Sequence, residues 1–299
     1  MYLGSLITAM VTPFKEDLSV DYNTAKKLAK FLVDNGSDGI VVCGTTGESP
    51  TLTHDEKLKL FKTVKEVVGD NASVIAGTGS NSTAASIELT KQTEKTSVDA
   101  ILAVAPYYNK PPQEGLYRHF KAIADNTKLP VIIYNIPSRS VVNISADTTI
   151  ALSEVNNIVG TKEASGNYDD IAKIINKTSD GFLVFSGDDS ATYPIMSLGG
   201  DGVISVTSHV AGNQMREMLD YCHKGVWDRA LTLHNRLLPL FKGMFVTTSP
   251  ILIKAALAEI GMPVGSLRLP LINASNEQIS ALKKVMVETG IITSVASIT

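Results

Sequence analysis

This chain is short of the features that mark several large classes of protein. Its two cysteines, Cys43 and Cys222, stand far apart and make neither a disulfide framework nor a zinc ligand set, so both read as packed thiols. No apolar stretch approaches membrane-spanning length, and Met1-Tyr2-Leu3-Gly4-Ser5-Leu6 lacks the basic and long apolar regions of a secretory leader. A soluble, cytoplasmic protein is expected. Charge of one sign is also missing: 27 Lys and Arg against 30 Asp and Glu leave a net −3 over 299 residues, with the basic residues dispersed. Neither a nucleic-acid backbone nor an anionic membrane is therefore an expected partner. Gly77-Thr78-Gly79-Ser80-Asn81-Ser82 begins like a dinucleotide fingerprint but lacks the third glycine, and no Walker loop occurs. The five histidines, His54, His119, His209, His223 and His234, form no short metal-ligand motif, although ligands can converge from distant loops.

What is present is a series of short, β-branched apolar runs at 6–11, 39–43, 73–76, 100–105, 130–134, 158–162, 182–185 and 202–206. They are nearly continuous rather than alternating, as strands buried on both faces of a parallel sheet must be. Helical spacing fills gaps between them. In 55–68, Leu58, Phe61, Val64 and Val68 share a face, Thr53 and Glu56 form a capping box, and Gly69 stops the helix. Apolar residues three or four apart recur in 22–33, 113–124, 146–152 and 168–175. Eight strands alternating with helices predict an α/β fold, a (β/α)₈ TIM barrel, with a doubly wound open sheet as the alternative. Four further helical patterns, 212–223, 227–245, 250–260 and 277–289, exceed what a closing barrel helix needs. The expected division is a catalytic barrel over 1–224 and a C-terminal helical extension over 225–299.

In such a barrel the active site lies at the carboxyl ends of the strands, where Lys162 closes the run Asn157-Ile158-Val159-Gly160-Thr161-Lys162. A buried ammonium is costly, and burial lowers a lysine's pKa toward neutrality, leaving a free amine able to attack a carbonyl and form a Schiff base. The plainer alternative is a strand-end lysine that reaches water or pairs with Glu163. Strand alternation puts Ile158, Gly160 and Lys162 on one face and Ile132 and Tyr134 on one face of the neighbouring strand. Gly160 is expected to leave room beneath the lysine, and the Tyr134 hydroxyl to serve the proton transfers of imine formation or else to be a buried phenol bonded to backbone. Gly44-Thr45-Thr46-Gly47 is either an ordinary tight turn or, at a barrel mouth, a cradle for a carboxylate. Arg139 is either a solvated surface residue or a planar clamp for a second carboxylate. Glu48, Glu163, Asp188 and Asp189 leave a glycosidase open, since two acids at the mouth could serve it.

Gly44-Thr45-Thr46-Gly47-Glu48, Tyr134-Asn135-Ile136-Pro137-Ser138-Arg139 and Lys162-Glu163-Ala164-Ser165-Gly166 together resemble the dihydrodipicolinate synthase branch of the class I pyruvate aldolase superfamily. The resemblance spans nearly the whole chain, including Ala9-Met10-Val11-Thr12-Pro13-Phe14, Pro106-Tyr107-Tyr108-Asn109-Lys110-Pro111, Ser186-Gly187-Asp188-Asp189 and Gly202-Val203-Ile204-Ser205-Val206. It implies condensation of pyruvate with L-aspartate 4-semialdehyde, without metal or organic cofactor. It also implies Lys162 as the Schiff-base residue, Tyr134 as proton shuttle, Thr45 as the link to Tyr108 of a neighbouring subunit, and a homotetramer built as a dimer of dimers. Thr46 would hold the pyruvate carboxylate, Ile204 would line its pocket, and Arg139 would bind the semialdehyde carboxylate. Ser49, His54, Asn81 and Tyr107 match the site at which some relatives bind lysine as an inhibitor. Lys57 stands where inhibited relatives carry a histidine and Ala85 where they carry a glutamate, which implies weak or absent inhibition. Another pyruvate-dependent aldolase, such as N-acetylneuraminate lyase or a keto-deoxy sugar acid aldolase, would share Lys162 and Tyr134. A non-catalytic pyruvate-binding protein on the same barrel is the alternative of a different class.

Overall fold

Eight parallel strands close on themselves in chain order: β1 (Leu6–Ala9), β2 (Gly39–Val42), β3 (Ser73–Gly77), β4 (Ala100–Val104), β5 (Val131–Asn135), β6 (Ile158–Glu163), β7 (Leu183–Ser186) and β8 (Gly202–Ser205). Pairing of β8 with β1 completes the ring, so the fold is a TIM barrel and not an open doubly wound sheet. The computed structural model describes residues 3–293; Met1 and Tyr2 at the N-terminus and residues 294–299 of the C-terminal segment lie outside the described residues.

Alternation along each strand feeds two apolar layers. On β5, Ile132 and Tyr134 join the barrel interior with Ile7, Val41, Ile75, Leu102, Phe185 and Ile204, while Val131 and Ile133 join the outer layer beneath the helices. Burial on both faces accounts for strands without polar alternation. The helices are α1 (Tyr22–Asp34), α2 (His54–Val68), α3 (Thr83–Thr93), α4 (Gln113–Ala124), α5 (Pro137–Ser140), α6 (Ala146–Ser153), α7 (Tyr168–Lys177), α8 (Thr192–Ser197), α9 (Ser208–His223), α10 (Trp227–Gly243), α11 (Ile251–Glu259) and α12 (Asn276–Glu288). On α2 the expected capping box between Thr53 and Glu56 and the terminal Gly69 are both present. Leu237, Leu240 and Phe241 of α10, Leu252, Ile253 and Leu257 of α11, and Leu282 and Met286 of α12 share the outer layer with the barrel.

Two sequence expectations need correction. Helix α3 has no apolar stripe and was not anticipated: besides Leu89 it buries Ser86, Thr90 and Thr93, whose hydroxyls bond locally, Thr90 Oγ1 to Thr78 Oγ1 at 2.9 Å and Thr93 Oγ1 to the Leu89 carbonyl at 2.8 Å. The second correction concerns β6. Val131 pairs with Ile158 and Ile132 with Gly160, so the ladder skips Val159 and Ile158 falls in the outer layer instead of sharing the face of Gly160 and Lys162. A bulge of this kind re-aims the residues beyond it, and here it sets Tyr134 opposite Lys162.

Candidate active site

Lys162 ends the inward row of β6, only 6% exposed, with its Nζ 4.2 Å from the centre of the Tyr134 ring. Burial lowers its pKa to about 7; a more distant Asp189 pulls the other way, and Arg139 adds to the lowering. The contact with Tyr134 is thus to the ring face, and burial raises the phenol well above its usual value, so its O–H stays protonated. Glu163 turns to the opposite face of β6. There its carboxylate accepts from Asn135 Nδ2 at 3.2 Å and Ser165 Oγ at 3.1 Å, and burial raises its pKa to about 7. Among the described residues no carboxylate reaches ion-pair distance of Lys162, so the pairing with Glu163 that the sequence left open does not form.

The room for the lysine comes from an unexpected glycine. A Cβ on Gly160 would meet the Leu183 carbonyl oxygen at 2.5 Å, so that residue serves the close approach of β7 and not the lysine. A Cβ on Gly187 would lie 3.1 Å from Lys162 Cε and 2.9 Å from Ala164 Cβ. The local signal for it was a glycine at the carboxyl end of a strand, where backbone must yield to a side chain.

Above Lys162 lies a cavity of about 290 Å³, lined among others by Thr45, Thr46, Tyr107, Tyr134, Arg139 and Gly187. The 44–48 turn is held from below, Thr12 Oγ1 donating to the Gly47 carbonyl at 2.6 Å. Thr46 is buried, with its Oγ1 3.2 Å from Ser249 Oγ. Arg139, exposed on α5, donates from Nη1 to Thr248 Oγ1 at 3.1 Å. A small keto acid with one carboxylate fits the chemistry of this space: an amine whose charge burial disfavours at the base, hydroxyls to one side and a guanidinium at the rim.

The other expected residues lie around this cavity or apart from it. Ile204 lies in the inner apolar layer, while Val206 lines the cavity. Tyr108 is 87% exposed at φ +78° and lines no part of the cavity, although its neighbour Tyr107 does. Of the residues matched to an inhibitor site, Ser49 and Tyr107 line this same cavity together with Lys57 and Ser80, whereas His54 and Asn81 do not. Asn81 instead offers its carbonyl to Asn109 Nδ2 at 2.8 Å, bracing the turn that carries Tyr107 and Tyr108.

A family model described as the dihydrodipicolinate synthetase family matches residues 2–289. The chain belongs to that family. It is 53% identical to a 4-hydroxy-tetrahydrodipicolinate synthase from Moorella thermoacetica, over 98% of this chain and 100% of the relative. It is 54% identical to 4-hydroxy-tetrahydrodipicolinate synthase 1 of Halalkalibacterium halodurans, over 93% of this chain and 94% of that one. A dihydrodipicolinate synthase structure from Bacillus anthracis superposes with a TM-score of 0.94 at 50% identity, covering 96% of this chain and 98% of that one. The enzyme from Cyanidioschyzon merolae, solved with lysine bound, superposes with a TM-score of 0.95 at 46% identity, covering 97% and 99%.

Against this dihydrodipicolinate synthetase framework, the contribution that sequence reasoning missed comes from the C-terminal helices. Phe245 and Ser249, in the connection between α10 and α11, line the cavity, and Thr248 holds Arg139. In sequence, Thr247-Thr248-Ser249-Pro250 reads only as a helix start. The closing of the barrel, over two hundred residues from Thr46, is what brings it to the site.

Proposed function

We propose that this chain condenses pyruvate with L-aspartate 4-semialdehyde to give 4-hydroxy-tetrahydrodipicolinate, the entry to diaminopimelate and lysine synthesis. The observation that carries the chemistry is Lys162, a buried amine with a pKa of about 7 beneath a small cavity and against Tyr134. Its free amine attacks the pyruvate ketone and water leaves, giving an imine whose positive nitrogen accepts the electron pair released when a methyl proton departs. The resulting enamine adds through that carbon to the aldehyde. The amine of the second substrate then displaces Lys162 as the ring closes, so the electron sink is the imine itself.

Tyr134, protonated and beside the amine, is assigned the proton transfers. Thr46 is assigned the pyruvate carboxylate, Thr45 the link from Tyr134 to Tyr108, Arg139 the semialdehyde carboxylate, and Ile204 a main-chain contact to pyruvate. The exposure of Tyr108 supports its acting across an interface, in a homotetramer of two dimers. Mixing inactive Lys162→Ala chains with Tyr108→Phe chains should restore part of the turnover; no recovery on mixing would sink the shared-site reading. The proposal places the enzyme in the cytoplasm, and no helix among the described residues is long and apolar enough to cross a membrane. It keeps residues 225–299 as a C-terminal helical extension.

A coupled assay with each aldehyde tests the substrate. Turnover with L-aspartate 4-semialdehyde and none with N-acetylneuraminate is expected, and the reverse would overturn the proposal. Lysine inhibition is expected to be weak, because Lys57, whose charge burial already disfavours, and Ala85 leave an added ammonium facing a like charge without a carboxylate. Strong inhibition of steady-state turnover at low-millimolar lysine would remove that reading.

A further inference from the structure

Beneath the 44–48 turn lies a second charged site, one that no step of the condensation uses. Glu48 follows Gly47 in a left-handed conformation, φ 56°, and its side chain is buried. One carboxylate oxygen is 2.7 Å from Lys254 Nζ on α11, and the other accepts the Arg268 backbone N–H at 3.0 Å. Lys254 also donates to the Ser266 carbonyl at 2.8 Å and sits 4.4 Å from the centre of the Phe14 ring. Phe14 in turn donates its backbone N–H to the Val264 carbonyl at 3.0 Å, so the 12–14, 44–48 and 249–268 segments meet at this pair. None of Glu48, Lys254 or Phe14 lines the cavity.

Burying two ions costs several kcal/mol each, and apolar residues of similar volume often stabilise a fold as well or better. The pair therefore has to be explained by what it holds in place. Glu48 is two residues from Thr46, and Lys254 is in the first turn of a helix entered through Thr248 and Ser249. Those two hydroxyls reach Arg139 and Thr46, at 3.1 and 3.2 Å. A single connection between α10 and α11 thus touches both groups assigned to substrate carboxylates, and the ion pair adds a tie between the 44–48 turn and the helix that follows that connection.

We propose that the buried Glu48–Lys254 ion pair is a positioning device for the carboxylate-binding side of the site, locking the 44–48 turn to the segment bearing Thr248 and Ser249 and so fixing where Thr46 and Arg139 stand. The inference rests on the assignment of Thr46 to the pyruvate carboxylate. Glu48 and Lys254 act through Thr46, Ser249 and Arg139 and touch neither substrate. Substrate affinity should depend on them out of proportion to stability.

The test is steady-state kinetics and denaturant unfolding of the full-length Glu48→Met/Lys254→Met double variant, alongside Ser249→Ala and Thr46→Val. Removing both charges should leave the unfolding midpoint near that of the parent while raising the KM for pyruvate about tenfold, with kcat changed less than about threefold. Ser249→Ala, which leaves the ion pair intact, should raise the same KM several-fold, and its effect should not add to that of the double variant. A well-folded double variant with parental KM overturns the proposal. So does parental KM in Ser249→Ala, whatever the double variant does. If Thr46→Val itself leaves the pyruvate KM unchanged, it is the carboxylate assignment that fails, and the positioning proposal falls with it.

Discussion

Two lysines of this chain are buried to nearly the same depth, and we propose opposite uses for them. Lys162 is 6% exposed and Lys254 4%. Burial lowers the pKa of both, but Lys254 has a carboxylate 2.7 Å away that holds its charge, while Lys162 has an aromatic face and no ion-pair partner among the described residues, and falls to about 7. In the proposed reading the same penalty yields a nucleophile where it is left uncompensated and a structural tie where it is compensated. A buried lysine is therefore read by its surroundings, and here Lys254 has a carboxylate and the Ser266 carbonyl within reach where Lys162 has an aromatic face.

The comparison breaks most visibly in turnover. Lys162→Ala should lower kcat by about 10⁴-fold or more, the scale on which loss of a covalent nucleophile is felt, with the circular dichroism spectrum unchanged. Stability should split the two sites the other way. Lys254→Met strands the Glu48 carboxylate and should cost about 3–5 kcal/mol in denaturant unfolding, whereas Lys162→Met removes a buried amine that has no ion-pair partner among the described residues and should cost nothing or stabilise. Equal destabilisation by the two substitutions would erase the distinction. Tyr134→Phe keeps the ring beside the amine but removes the proton donor; a loss of about 10²–10³-fold in kcat is expected, and a loss under threefold would leave Tyr134 as packing alone. Gly187→Ala, which places a methyl 3.1 Å from Lys162 Cε, should cost about 1–3 kcal/mol of stability and lower turnover, a test of whether the amine's position is set by that glycine. The most gradual effect is in pH. With Lys162 at about 7 when folded and 10.5 as a free side chain, the unfolded chain binds more protons between those values, so stability should rise with pH across that window by up to about 1.4 kcal/mol per unit. Lys162→Met should flatten that rise.

Much of the architecture was legible because barrel strands are buried on both faces and announce themselves as apolar runs; all eight were placed, along with the α2 capping box. Helix α3 was not, since it packs through threonine and serine hydroxyls and carries no apolar stripe. The identity of the lysine and its tyrosine neighbour could be read from two adjacent strands, but their register could not: the skip at Val159 has no signature in the residues themselves. For the same reason the residues alone point to Gly160 for the space that Gly187 provides. Thr248, Ser249 and Lys254 were hidden more deeply. Their roles exist only because the chain after the barrel folds back over the 44–48 turn, a contact between residues some two hundred positions apart.

The most direct test of the contrast between the two lysines is borohydride reduction in the presence of pyruvate across a pH series, followed by intact-protein and peptide mass measurement. The account predicts one pyruvate-derived adduct per chain, on Lys162 and absent from Lys254, with imine formation rising through about pH 7. No adduct, an adduct on another lysine, or a rise delayed to the ordinary lysine range near 10.5 would contradict it.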